Sequence, residues 1–317
     1  MDVKTVGSQP LFGLSDTQQM MFAFGDSRRP NIETAKIIEN VVLSQVTEII
    51  HRAVAVSHMR GYKAVQLESI IFLMRNSPLK IQRLIRYLSA KEVTSKANAL
   101  AEGEVDNVNK KKTLMIRCKE FIESIDDTGT LLSACDEQYF DEVYLERLMK
   151  NDKITRNMDN KRYEEYCRAR IVGFRGSYSV KFQSSLENIL NSLDLKVEKI
   201  AQEVLSYLAY ETLGQLIEMC LILRRDSIMS GDQVSRLIPV RSINTEYPSV
   251  YFPVNSSSGA GGGSVSSGSD TDLPGHPITP AEMREVVRRL QNTASGGRPL
   301  NGRTRSRPAC NMPIIAI

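Results

Sequence analysis

Between Asn31 and Met59, apolar residues recur at Ile38, Val41, Val42, Val46, Ile49, Ala53 and Val56, close to the period of an α-helix. A second set, Ile37, Ile50 and Val54, widens the apolar surface beyond one stripe. No Gly or Pro interrupts the segment; Pro30 and Asn31 open it and Gly61 closes it. The pattern predicts one helix of roughly 40 Å, at about 1.5 Å per residue. Short neighbours cannot bury a helix of that length that is apolar on more than one face. It needs a second long helix to cross it.

Shorter segments flank it. Ser15 with Gln18 is a capping-box pattern, starting a helix through Phe24 with Met20, Met21, Phe22 and Phe24 as its apolar content. The run from Gly25 to Pro30 is a loop, and Gly61 to Val65 an extended link. Leu67, Ile70, Ile71 and Met74 predict a helix over about 66–75. Ser77 and Pro78 open another, carrying Leu79, Leu84 and Leu88. Residues 93–112 are polar and read as linker, and their closing Lys110, Lys111 and Lys112 as a solvated helix start. Thr113 to Ile125 predicts an amphipathic helix, and Asp126 to Gly129 a turn. The charge-dense stretch 136–171, with Tyr139, Phe140, Val143, Leu145, Leu148, Tyr163 and Tyr166, predicts two helices that lie on the rest without forming a core.

The pattern then repeats. Phe182, Leu186, Ile189 and Leu190 predict a short helix from Val180 to Leu190. A second long helix is expected from Lys196 to Arg225, with Gly214 inside it, where Gly costs about 1 kcal/mol in an exposed helix. Residues 226–278 read as mostly non-helical, and Ser256 to Asp270 as a disordered Gly/Ser-rich insert. Thr279, Pro280, Ala281 and Glu282 form a capping box with Pro at the first helical position. The helix they open is striped by Met283, Val286, Val287 and Leu290. The tail, with Arg298, Arg303, Arg305 and Arg307, reads as disordered.

Short helix, long helix, short helix thus occurs twice, over 15–75 and about 180–291, with little residue identity between the copies. Neither copy closes a core alone. Clasped head to tail they do, their long helices crossing around Gln45 to Glu48 and Tyr210 to Gly214, with Gly214 small because the crossing is close. One chain supplies both copies at high effective concentration. The expected organisation is an arm at 1–14, a first unit at 15–92 with an extra C-terminal helix, and a helical linker at 93–179. A second unit at 180–292 contains the insert 226–278, and the tail is 293–317. The fold class is all-α.

Composition narrows the function. Lys plus Arg number 41 against 37 Asp plus Glu, a net charge of +4, far from the basicity of a protein that wraps DNA. Five dispersed cysteines, with no C-x-x-C pair, fit a reducing compartment and argue against disulfides or a zinc site. No secretory signal and no membrane span are expected. His51 and His58 share a helix face without further metal ligands, and His276 lies in a loop. The glycines at 261–263 lack the Lys-Ser/Thr of a phosphate loop. No catalytic constellation, cofactor site or metal site is read.

The run from Met20 to Pro30, then Glu33, Thr34 and Ala35, and later Phe72 to Arg75, resembles the first histone fold of the Spt-three family of SAGA coactivator subunits. It is also similar to TFIID subunit thirteen. Glu203 to Thr212 with Met283 to Leu290 resembles the second half of that family and TFIID subunit eleven, and Ser124 to Gly129 its linker. The resemblance implies two histone folds forming an intramolecular pseudo-dimer. It also implies a nuclear, non-enzymatic scaffold that contacts the TATA-binding protein and other SAGA subunits. A TFIID-type subunit is disfavoured because both folds share one chain. The alternative from another class is a histone-like, sequence-independent DNA-binding protein. Arg28, Arg29 and Lys63 are its candidate contacts, read first as solvated or ion-paired. Glu211, mid-helix among apolar residues, must reach solvent or a cation. With Glu218 it is the candidate for facing a basic partner.

Overall fold

A computed structural model of the 317-residue chain describes residues 15–101, 114–135, 140–174, 180–192, 194–229, 276–294 and 314–316. Among these, the order is α1 (Asp16–Ala23), α2 (Ile32–Met59), β1 (Ala64–Val65), α3 (Leu67–Leu73), α4 (Pro78–Ala101), α5 (Leu114–Ile125) and α6 (Thr130–Cys135). It continues with α7 (Glu142–Arg156), α8 (Asn160–Ile171), α9 (Val180–Ser192), β2 (Lys196–Val197), α10 (Lys199–Met229) and α11 (Pro280–Ala294).

The local signals act as expected. The Ser15 hydroxyl accepts from Gln18 N–H, and the Gln18 side chain returns the bond to Ser15 N–H, opening α1. The Asn31 carboxamide accepts from Glu33 N–H at 2.8 Å, opening α2. Gly61, at φ +76°, closes α2 while Tyr62 N–H donates to the Ser57 carbonyl at 2.9 Å and Gly61 N–H to that of His58. Thr279 and Glu282 make both bonds of the second capping box.

Three boundaries differ from the expectation. The helix opened by Pro78 does not end before residue 93 but runs to Ala101. No Gly or Pro stops it before Gly103, and Glu92 pairs with Lys96 one turn on. The second long helix starts at Lys199 rather than Lys196, because Lys196 and Val197 pair in parallel with Ala64 and Val65. That helix also runs past Arg225 to Met229. The tail is not disordered at its end: Ile314, Ile315 and Ala316 are buried. The Gly/Ser insert and the arm lie outside the described residues.

The chain divides into two compact units. The first takes Met1–Gln45, Val143–Ser185 and Ala209–Ile315. In it α1 packs on α8. Tyr166 is fully buried, edge-on to Phe22, with its hydroxyl donating to the Ala23 carbonyl at 3.3 Å and bonded to Asn151. The stretch 136–171 therefore contributes to a core, against the expectation, because Val143, Ile154, Tyr166 and Ala169 face inward. The second unit takes Val46–Glu142, Leu186–Leu208 and Ala316–Ile317. There α4 packs on α5 and α6, and α3 on α5. Ile49, Ile50, Ala53, Ile70, Ile81, Leu84, Val204 and Leu205 of this unit are fully buried.

Candidate partner interface

In the first unit one arginine gathers the two acids singled out in the sequence. Along α7, Val143, Arg147, Lys150 and Ile154 fall on one face, so two cations sit within an otherwise apolar, inward row. Arg147 forks onto Glu218 of α10, Nε to Oε1 at 2.7 Å and Nη2 to Oε2 at 3.1 Å. Its Nη1 reaches Glu211 Oε2 at 3.2 Å. Side-chain exposures are 22% for Arg147, 15% for Glu211 and 11% for Glu218. Burial opposes the arginine charge, but the two carboxylates outweigh it and hold the guanidinium far above its ordinary pKa. Of solvent or a cation, Glu211 thus meets a cation, and it is the chain's own. The same guanidinium lies 5.9 Å from the centroid of the Phe24 ring.

Lys150 completes the arrangement. Its Nζ donates to the Phe24 carbonyl at 3.1 Å, and burial and the neighbouring Arg147 lower its pKa, against Glu218. It lies close to Gly25, where an added Cβ would meet Nζ at 2.7 Å. Phe24 leans on Tyr210, ring centroids 5.0 Å apart, and covers Gly214. The small residue in α10 is therefore explained by an aromatic ring. An added Cβ at Gly214 would lie 2.5 Å from Phe24 Cε1.

A second cluster holds α11. Asp26 Oδ1 accepts from Ser27 and Ile278 N–H, and the Thr34 hydroxyl donates to the Ile278 carbonyl at 2.8 Å. Arg224 forks onto Glu282 at 2.8 Å and donates to the His276 and Pro277 carbonyls. Burial raises the Asp26 pKa despite these bonds. At Glu282, burial is outweighed by Arg224 and Thr279, which bring the carboxyl down to about 2. A folded pKa below the unfolded one adds stability above about 4.5 that is lost as pH falls towards about 2. Glu282→Gln is expected to destabilise the protein at neutral pH by under about 1 kcal/mol, as for a partly exposed pair, read as a lower thermal midpoint. The gap to wild type should close over that acid window; a gap constant with pH would assign the effect to the cap alone.

Of the candidate DNA contacts, Arg28 and Arg29 fall in the first unit and Lys63 in the second. Arg28 forks onto Glu165, Nε at 2.9 Å and Nη2 at 2.8 Å. Arg29 is exposed in the same unit, and Lys63 is exposed in the other. In the second unit, Arg117 of α5 bridges Glu68 and Glu198, the latter next to β2, and Arg60 lies over the Tyr62 and Phe121 rings. Arg28, Arg117 and Arg60 are thus engaged by the chain's own acids and rings. His51, His58 and His276 are exposed. Among the described residues no group of His, Cys, Asp and Glu could hold a metal, and no helix is long and apolar enough to cross a membrane. Sequence reasoning missed Arg147, Lys150, Arg117 and Asp26. The usable signal was the cations placed on an apolar helical row.

Residues 13–102 match the family described as transcription initiation factor IID, 18 kDa subunit. The chain is similar to the SAGA complex subunit SPT3 of Saccharomyces cerevisiae, 26% identical over 335 residues, covering 92% of this chain and 96% of that one. It is similar to the SAGA complex subunit Spt3 of Drosophila melanogaster, 23% identical over 222 residues, but covers 54% of that protein's length and 69% of its own. Transcription initiation factor TFIID subunit 13 of Homo sapiens is 35% identical over 78 residues, 25% of this chain and 60% of that one. The chain thus resembles a SAGA subunit along nearly its whole length, and its N-terminal part resembles a TFIID subunit.

Proposed function

We propose that this chain is a nuclear, non-enzymatic transcription coactivator subunit that scaffolds a SAGA-type complex and binds the TATA-binding protein. The observation that carries the reading is the full-length likeness to a SAGA subunit, 92% of this chain against 96% of that one. We further infer that a second histone fold, built on α9, α10 and α11, pairs with the first within the chain. Each unit taken by itself supports this, because each draws on both halves of the sequence. In one, β1 after α2 pairs with β2 before α10. In the other, Thr34 near the start of α2 and Arg224 near the end of α10 bond to the same segment, 276–278. A head-to-tail pair requires contacts of this kind at both ends.

On this reading direct DNA contact is weak, in keeping with a net charge of +4. Capture of purified TATA-binding protein by the intact chain, alone and within its native complex, tests the function. Absence of capture in both settings would overturn it. Glu211 and Glu218 can meet a basic partner only by exchanging Arg147 for a partner cation. The triple variant Arg147→Met, Glu211→Gln, Glu218→Gln removes all three charges together, which preserves packing better than removing one. Weakened capture by this variant is expected if the acids face the partner; unchanged capture would restrict them to anchoring α7.

A further inference from the structure

Within the first unit, α7 is apolar on two faces. Its inward row carries Val143 and Ile154, with Arg147 and Lys150 bonded to Glu218 and to the Phe24 carbonyl. On the outward side Tyr144 and Leu148 form one row and Leu145 and Met149 the next, between 36% and 64% exposed. Among the described residues no other helix carries more than two exposed large apolar side chains. The stripe cannot roll inward, because Arg147 is locked to Glu211 and Glu218 on the other side. Asp152 and Arg156 pair at 2.6 Å and end the stripe. Along its Met149 edge stand Glu146, half-buried, and Lys153, exposed, two turns apart and of opposite sign. An apolar stripe held outward in this way is unfavourable in water until something covers it.

We propose that this face of α7 is a self-association surface, on which the α7 of a second copy of the chain packs antiparallel. The charges select that occupant. An antiparallel pair of helices sets the same edge of both side by side, whereas a parallel pair sets opposite edges together. With the two-fold axis between Met149 and Lys150, Glu146 of each protomer lies opposite Lys153 of the other. Symmetry makes the one spacing serve twice, and the two apolar stripes close on each other between the charge pairs. Charges at the edge of such a contact set orientation and partner choice. The contact of one 15-residue helix is small, so the dimer is weak and reversible.

Sedimentation velocity of the full chain over a rising concentration series tests this without any variant. Wild type is expected to pass from monomer to dimer; a chain that stays monomeric throughout overturns the proposal. Leu148→Asp should raise the dimer dissociation constant at least about tenfold, because it puts a charge into the apolar contact of both protomers. An unchanged constant would place the interface elsewhere and overturn it. Exchanging the charges tests the antiparallel pairing itself. Glu146→Lys and Lys153→Glu each turn two attractions into two repulsions and should each weaken self-association about tenfold. An equimolar mixture of the two variants restores two opposite-sign pairs, as does the double exchange in one chain. Both should dimerise as wild type does. The substituted side chains lie on the solvent side of α7, and unchanged thermal midpoints show that the fold is kept. Dimers that ignore the single exchanges, or a mixture that does not recover, would equally overturn the proposal.

Discussion

Arg147→Ala is expected to destabilise the protein by about 3 kcal/mol, the lower end of the range for breaking a buried ion pair. The loss would show as a lower denaturation midpoint and as faster amide exchange along α7 and α8. Two carboxylates, Glu211 and Glu218, would stay behind at 15% and 11% exposure without the cation that neutralises them. Lys150 already acts on Glu218 but is a weaker replacement, since its Nζ also donates to the Phe24 carbonyl and burial disfavours its charge. Combining Arg147→Ala with Glu211→Gln and Glu218→Gln should recover a large part of the loss, because the penalty lies in the stranded charges. A loss under about 1 kcal/mol, typical of an exposed pair, would show that α7 is held by its apolar row alone.

The same cluster shows where the sequence was readable. That Glu211 needed either solvent or a cation followed from its apolar neighbours Leu208 and Leu213, both buried. Which cation could not be read, because Arg147 lies 64 residues away in a helix crowded with charge. Only the placement of Val143 and Ile154 on its face distinguishes it from the solvated cations beside it. The long helices were legible because period and caps agree over many residues, as Asn31 and Gly61 do for α2. Lys196 and Val197 were read as a helix start because two residues carry no period; their pairing with Ala64 and Val65 depends on a segment far away in the chain. Ile314 to Ala316 escaped for the same reason, lying in a four-residue apolar run after a Gly-, Pro- and Arg-rich stretch.

Gly214→Leu is expected to cost about 3 kcal/mol, the upper end of overpacking effects, although Gly is the poorer helix former by about 1 kcal/mol. The gain in helix propensity is overridden because the added Cβ alone would lie 2.5 Å from Phe24 Cε1 and 2.6 Å from Cζ. A ring cannot slide aside as the end of a lysine can. Phe24 would have to leave Tyr210, 5.0 Å away between centroids, and withdraw its face from Arg147. The substitution therefore reaches the α7 anchor as well as α10, and denaturation and α7 exchange should respond together. The compensating variant is Phe24→Ala, which vacates the space that Leu needs. The double variant, Gly214→Leu with Phe24→Ala, should be more stable than either single one, a coupling that arises only between groups in contact. Additive losses in that cycle would mean that the glycine serves a neighbour other than Phe24.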